Sequence, residues 1–137
     1  MILAIISAFL ITAQAGESTG DSLIVNAAHT IVYRELLPEN RETVVCDTPS
    51  QITHRSEMSG SPYFINFGNA YPNNYLTILV WENDAHEMEI NPLRAFGGSS
   101  ICIKGIVRNY MSRPQIVLRS HDQIVSITPI DKKKSHN

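Results

Sequence analysis

Residues 60–81 read GSPYFINFGNAYPNNYLTILVW, two apolar runs on either side of a polar, turn-rich middle. The runs carry Tyr63, Phe64, Phe67, Tyr75 and Trp81, half of the chain's ten aromatic residues. Each run is short, rich in β-branched and aromatic residues, and bounded by Gly, Pro or Asn, which is the pattern of a strand. Side chains on a strand alternate between faces. Tyr63, Ile65 and Phe67 therefore share one face, with Phe64 and Asn66 on the other. In the next strand Thr77, Leu79 and Trp81 lie opposite Leu76, Ile78 and Val80. A small barrel takes one face of each strand inside. Ile65, Phe67, Ile78 and Val80 form the natural inward set, leaving Phe64, Asn66, Thr77 and Trp81 outward. The outward rings either pack beneath another segment of the chain or form a platform on which a ligand stacks.

The strand rhythm extends on both sides. RETVVCDTPSQITHR, 41–55, is extended, with Pro49 marking a bulge or bend in a long first strand. EMSGS, 57–61, is a turn before the strand PYFINF, and GNAYPNN, 68–74, is the loop before YLTILVWE. The stretch 83–100 breaks the rhythm. Its acidic start suits a short helix, and Gly97-Gly98 ends it. ICIKGIVRNY, 101–110, is a fourth strand with Gly105 at a bend, MSR turns, and PQIVLRS, 114–120, is the fifth, with QIVSITPI beside it. Upstream, LIVNAAHTIVYRELL, 23–37, mixes helical spacing with dense β-branching; it suits a helix or a strand, and a short helix is the favoured reading. Three strands, a helical or irregular segment and a two-strand hairpin are the element order of the OB-fold. The expectation is an all-β domain: a five-stranded Greek-key OB barrel over 41–128. A short N-terminal extension, 16–40, precedes it, and a basic tail, 129–137, follows.

The first fifteen residues, MILAIISAFLITAQA, carry no charged side chain and end in Ala13-Gln14-Ala15, the small-x-small form of a signal-peptidase site. Cleavage after Ala15 is expected, giving a periplasmic or secreted chain with no membrane span, since the run is too short to cross a bilayer; the alternative is an N-terminal anchor that stays attached. In such a compartment Cys46 and Cys102, the two cysteines of the chain, are expected to pair. Residues 16–100 carry a net charge of −7 and residues 101–137 one of +5. A basic C-terminal third can hold a polyanion locally, although Lys132 to Lys134 suit a solvated tail.

The stretch 60–81, followed by GGSSICIKGIVRNY and RPQIVLRSHDQI, resembles a family of small bacterial OB-fold domains. These are exported, or found beside nuclease domains, and are described as nucleic-acid-binding. The likeness covers roughly 43–127 and rests on Cys46, then Gly60-x-Pro62-x-Phe64-x-Asn66-x-Gly68 and Tyr71-Pro72-Asn73. Thr77, Trp81 and Gly105 follow, and Pro114-Gln115-Ile116 opens the last strand. Asp47, Ser99 and Ser112-Arg113 stand where the family has glycine or lysine. Each missing lysine removes a phosphate contact, while Arg113 keeps a charge at the turn.

The resemblance implies a nucleic-acid surface on strands two and three and the flanking loops. The candidate residues are Phe64 and Trp81 for stacking, Asn66 for a base edge, and Lys104, Arg108, Arg113 and Arg119 for phosphates, with Tyr110 beside them. No acidic residue interrupts the stretch from Ile101 to Arg119. The five histidines form no triad or metal motif, and no phosphate-binding or dinucleotide loop is present. The chain is read as a non-enzyme with no cofactor or metal. Its partner is single-stranded nucleic acid or, as the alternative, an envelope protein, glycan or small ligand bound by the same barrel.

Overall fold

The computed structural model describes residues 24–26 and 40–131. The candidate signal segment, most of the N-terminal extension and the lysine tail lie outside the described residues. Among these described residues, nine strands and two short α-helices follow in order. The strands are β1 (Ile24–Asn26), β2 (Glu42–Asp47), β3 (Gln51–His54), β4 (Tyr63–Phe67), β5 (Leu76–Val80), β6 (Ser99–Ile106), β7 (Arg108–Tyr110), β8 (Arg113–Val117) and β9 (Ile124–Pro129). The helices α1 (Glu82–Glu87) and α2 (Pro92–Phe96) lie between β5 and β6, where the sequence breaks its strand rhythm.

The strands form two sheets, ordered β1-β2-β6-β9 and β3-β4-β5-β8-β7. The chain is thus mostly β, and no closed barrel is found among the described residues. The expected first strand divides at Thr48-Pro49-Ser50, and its halves, β2 and β3, join different sheets. The expected fourth strand divides the same way at Val107 into β6 and β7. Gly105 lies flat on Ile116; a Cβ there would stand 2.4 Å from Ile116 Cγ2.

Two expectations are corrected. Within 23–37, read as a short helix, Ile24–Asn26 is a strand paired parallel to β2, with Ile24 opposite Val44. The β-branched density, not the helical spacing, is the stronger signal there. The segment 123–130 does not lie beside the fifth strand. β9 pairs antiparallel with β6, because both edges of β8 are already taken by β5 and β7. The strand reaches Pro129, and the Ile130 N–H donates to the Gly98 carbonyl at 2.9 Å.

One apolar cluster draws on both sheets and both helices. Ile65, Phe67, Ile78, Val80, Ile101, Ile103, Ile116 and Phe96 are all fully buried within it. The inward parity of β4 and β5 is as the alternation dictates. α2 starts on Asn91, whose Oδ1 accepts from the Leu93 and Arg94 N–H groups at 3.1 and 3.3 Å, with Pro92 as first helical residue. β6 alternates strictly, Ile101 and Ile103 inward, Cys102 and Lys104 outward. Cys46 and Cys102 face each other in the β2–β6 register and are disulfide-bonded.

Asp47, next to that bond, is partly buried. Burial pushes its carboxyl above the usual value of 3.8, and the Thr48 N–H, donating at 2.6 Å, partly opposes this. A carboxyl raised in the fold disfavours folding when ionised. Its contribution is fully present below the unfolded value and is lost as pH rises through the folded one. Asp47→Asn should therefore be modestly more stable than the parent at neutral pH, the gap closing as pH falls through the raised folded value and gone below 3.8. Urea unfolding of both proteins across that range checks it; a gap that widens on acidification contradicts the cause.

Candidate binding groove

The five-stranded sheet carries a polar row on its outer face. Gln51 pairs with Asn66, Asn66 with Thr77, Thr77 with Gln115, and Gln115 with Arg108. Residues directly opposite in register share a face, so the row crosses all five strands. Phe64 and Thr53, paired with each other, lie next along the same face, as do Tyr110 and Arg113. A groove of about 440 Å³ runs over this surface.

The walls come from loops. β5 and β8 run parallel, so the β4–β5 loop and the β7–β8 turn meet at one end of the sheet, and the β3–β4 loop stands at the other. Tyr71, 70% exposed, enters from the first of these and Tyr110, 62% exposed, from β7. Met58 and Arg55 enter from the far loop.

Asn66 and Asn74 are buried polar residues, and the floor satisfies them internally, as buried amides require. Asn66 Oδ1 accepts from the Thr77 hydroxyl at 2.8 Å and from Asn74 Nδ2 at 3.2 Å. Asn66 Nδ2 donates to Gln51 Oε1 at 3.1 Å, and the same oxygen accepts the Tyr71 N–H at 2.9 Å. Asn74 Oδ1 accepts from Arg113 Nη1 at 3.2 Å. The Arg113 guanidinium also lies 5.0 Å from the Tyr71 ring centroid, within cation–π range. Arg113 is thus oriented from two sides. Arg55 is bound to Glu57, whose carboxyl that guanidinium holds below its usual range. The lining contains two arginines and no carboxylate.

The expected site residues separate. Phe64, Asn66, Tyr110 and Arg113 line the groove together. Asn66 is a hub of the floor, its oxygen already accepting twice, so its main role is to hold the surface. Arg108 stands at the edge of the same face, its Nη1 donating to Asn40 Oδ1 at 3.4 Å. Trp81 is not in the groove. It leaves the end of β5 as the residue before α1 and packs on Gly60, where a Cβ would stand 2.8 Å from its ring. Gly60 has φ +78, and Gly68, beneath the Tyr75 ring, φ +92, so the two glycines of the motif seat rings against backbone. Lys104 lies on the outer face of the other sheet, opposite Val44. Arg119 follows the end of β8, its N–H donating to Gln123 Oε1 at 2.8 Å.

Sequence reasoning missed Gln51, Tyr71, Met111 and Gln115. Gln115 shares the parity of Arg113 and so carries a readable signal, whereas Tyr71 sits in a loop, where strand alternation gives none. Among the described residues there is no group of three or more His, Cys, Asp or Glu placed to hold a metal ion, and no helix is long and apolar enough to cross a membrane. No protein-family model matches the chain, and neither does any curated protein.

Proposed function

We propose that this chain is an exported OB-fold module that binds single-stranded nucleic acid in the groove without sequence preference, and is not an enzyme. The observation that carries it is the convergence of Phe64, Tyr71, Tyr110 and Arg113 on one face that lacks carboxylates. Base stacking on an aromatic ring contributes roughly 1–3 kcal/mol and accepts any base. An arginine beside the rings suits the phosphate that follows.

The OB assignment is supported by the strand order. β2 runs into β3 through three residues and β6 into β7 through one, so each of these two bent strands would join the sheets at a shared corner. The parallel pairing of β5 with β8 and the helices between β5 and β6 fit the same fold. Export is supported by the disulfide, since such bonds persist in oxidising compartments.

The test is binding of a labelled oligonucleotide at several salt concentrations. Tyr71→Ala, Tyr110→Ala and Phe64→Ala should each weaken binding by roughly 1–3 kcal/mol with the salt slope unchanged. Arg113→Gln should flatten that slope by about one unit. Trp81→Ala should lose stability but, where it remains folded, keep its affinity. Wild-type protein that ignores oligonucleotides even in low salt would end the nucleic-acid reading, and an envelope protein or glycan would take its place.

A further inference from the structure

Met58, Tyr71, Tyr110 and Met111 are exposed large apolar side chains, and all four line the groove. Met111 is the most exposed of them, at 81%. Met111 and Ser112 form the two-residue turn between the paired residues Tyr110 and Arg113, with φ of 49° and 63°. A hairpin turn with both φ positive favours Asn-Gly, because a residue with a Cβ occupies left-handed backbone at a cost. Methionine has neither the freedom of glycine nor the local hydrogen bonds of asparagine. Its side chain, open to solvent, recovers little by burial in the free protein. Folding gives no reason for methionine at this position.

We propose that Met111 is a ligand-contacting residue, held over the groove by its turn so that the thioether packs on the face of a nucleobase. The inference rests on the reading of the groove as a single-strand site. A thioether is flexible and polarizable and packs favourably against aromatic rings of differing shape, as a site without sequence preference requires. Arg113, the lining arginine not bound to a carboxylate, suits the phosphate attached to that base.

The test uses the full chain labelled with carbon-13 at the methionine methyls, titrated with adenosine monophosphate at millimolar concentration and, separately, with an oligothymidylate. The Met111 methyl should move upfield from the ring current of a bound base. The methyl of Met88, 3% exposed in the core, should stay in place as the control. A second measurement uses Met111→Asn combined with Ser112→Gly. This variant should unfold at higher denaturant than wild type yet bind the oligothymidylate about two- to tenfold more weakly. A Met111 methyl that ignores both probes overturns the proposal, and so does a variant of undiminished affinity. A Met111 shift with the mononucleotide but no salt-dependent oligonucleotide binding keeps the base contact and removes the strand reading. Oligonucleotide binding with Met111 unmoved does the reverse.

Discussion

Replacing Cys46 and Cys102 together by serine is expected to lower the unfolding free energy by about 4 kcal/mol, the chain-entropy value for a loop of this length. The two cysteines are separated by 56 positions in sequence, and the closed loop contains β3, β4, β5 and both helices. Opening it lets the unfolded chain explore far more conformations, while the native state loses little packing. Both cysteines are half-buried on the outer face of the β2–β6 pair, so two serines leave no large cavity. For a domain whose whole stability is on the order of 5–15 kcal/mol, that is a large share. Urea unfolding of the oxidised protein, the reduced protein and the double-serine variant measures the effect. Reduced and double-serine proteins should agree, both well below the oxidised form. Two free thiols in denatured, unreduced protein would show that the bond does not form.

Phe96→Ala should cost roughly 3–5 kcal/mol, the usual range for a large aromatic ring cut from a tight core. Phe96 is fully buried at the end of α2, in the cluster that contains side chains of both sheets. α2 packs against β3 in one sheet and β6 in the other, so the ring helps hold the two together. Five residues are too few for a helix to form alone. The ring therefore stabilises the segment that presents it. Leu93→Ala on the same helix is the comparison: Leu93 is 42% exposed, and its loss should stay within about 0.5 kcal/mol. Equal costs for the two variants would place the helix outside the cooperative core.

Much of this was legible because burial on a strand follows a period of two. The alternation in 62–67 and 75–80 gives the inward faces of β4 and β5, and that in 99–105 the inward face of β6. Partner choice leaves no such trace. Nothing in a linear pattern says that the halves of 41–55 join different sheets, or that Val107 does the same to 101–110. That second break is why the cations between Lys104 and Arg119 do not form one patch: Lys104 goes with the four-stranded sheet, Arg108 and Arg113 with the five-stranded one. Trp81 escapes strand parity because it stands one residue past the end of β5. There the backbone turns into α1, and the ring finds the bare backbone of Gly60. Tyr71 lies in a loop, which has no parity to read.

The hydrogen-bonded floor also constrains how this protein can drift. Gln51, Asn66, Asn74 and Thr77 satisfy one another, so altering one strands a buried donor or acceptor on its neighbour, at roughly 1–3 kcal/mol. Substitutions there must be concerted, and what position 74 tolerates depends on what stands at 66 and 77. Tyr71 joins the circuit through its backbone N–H, not its ring. Its side chain can be exchanged without opening the circuit. A lineage of such proteins can thus vary the rings that meet a ligand while inheriting the floor beneath them unchanged.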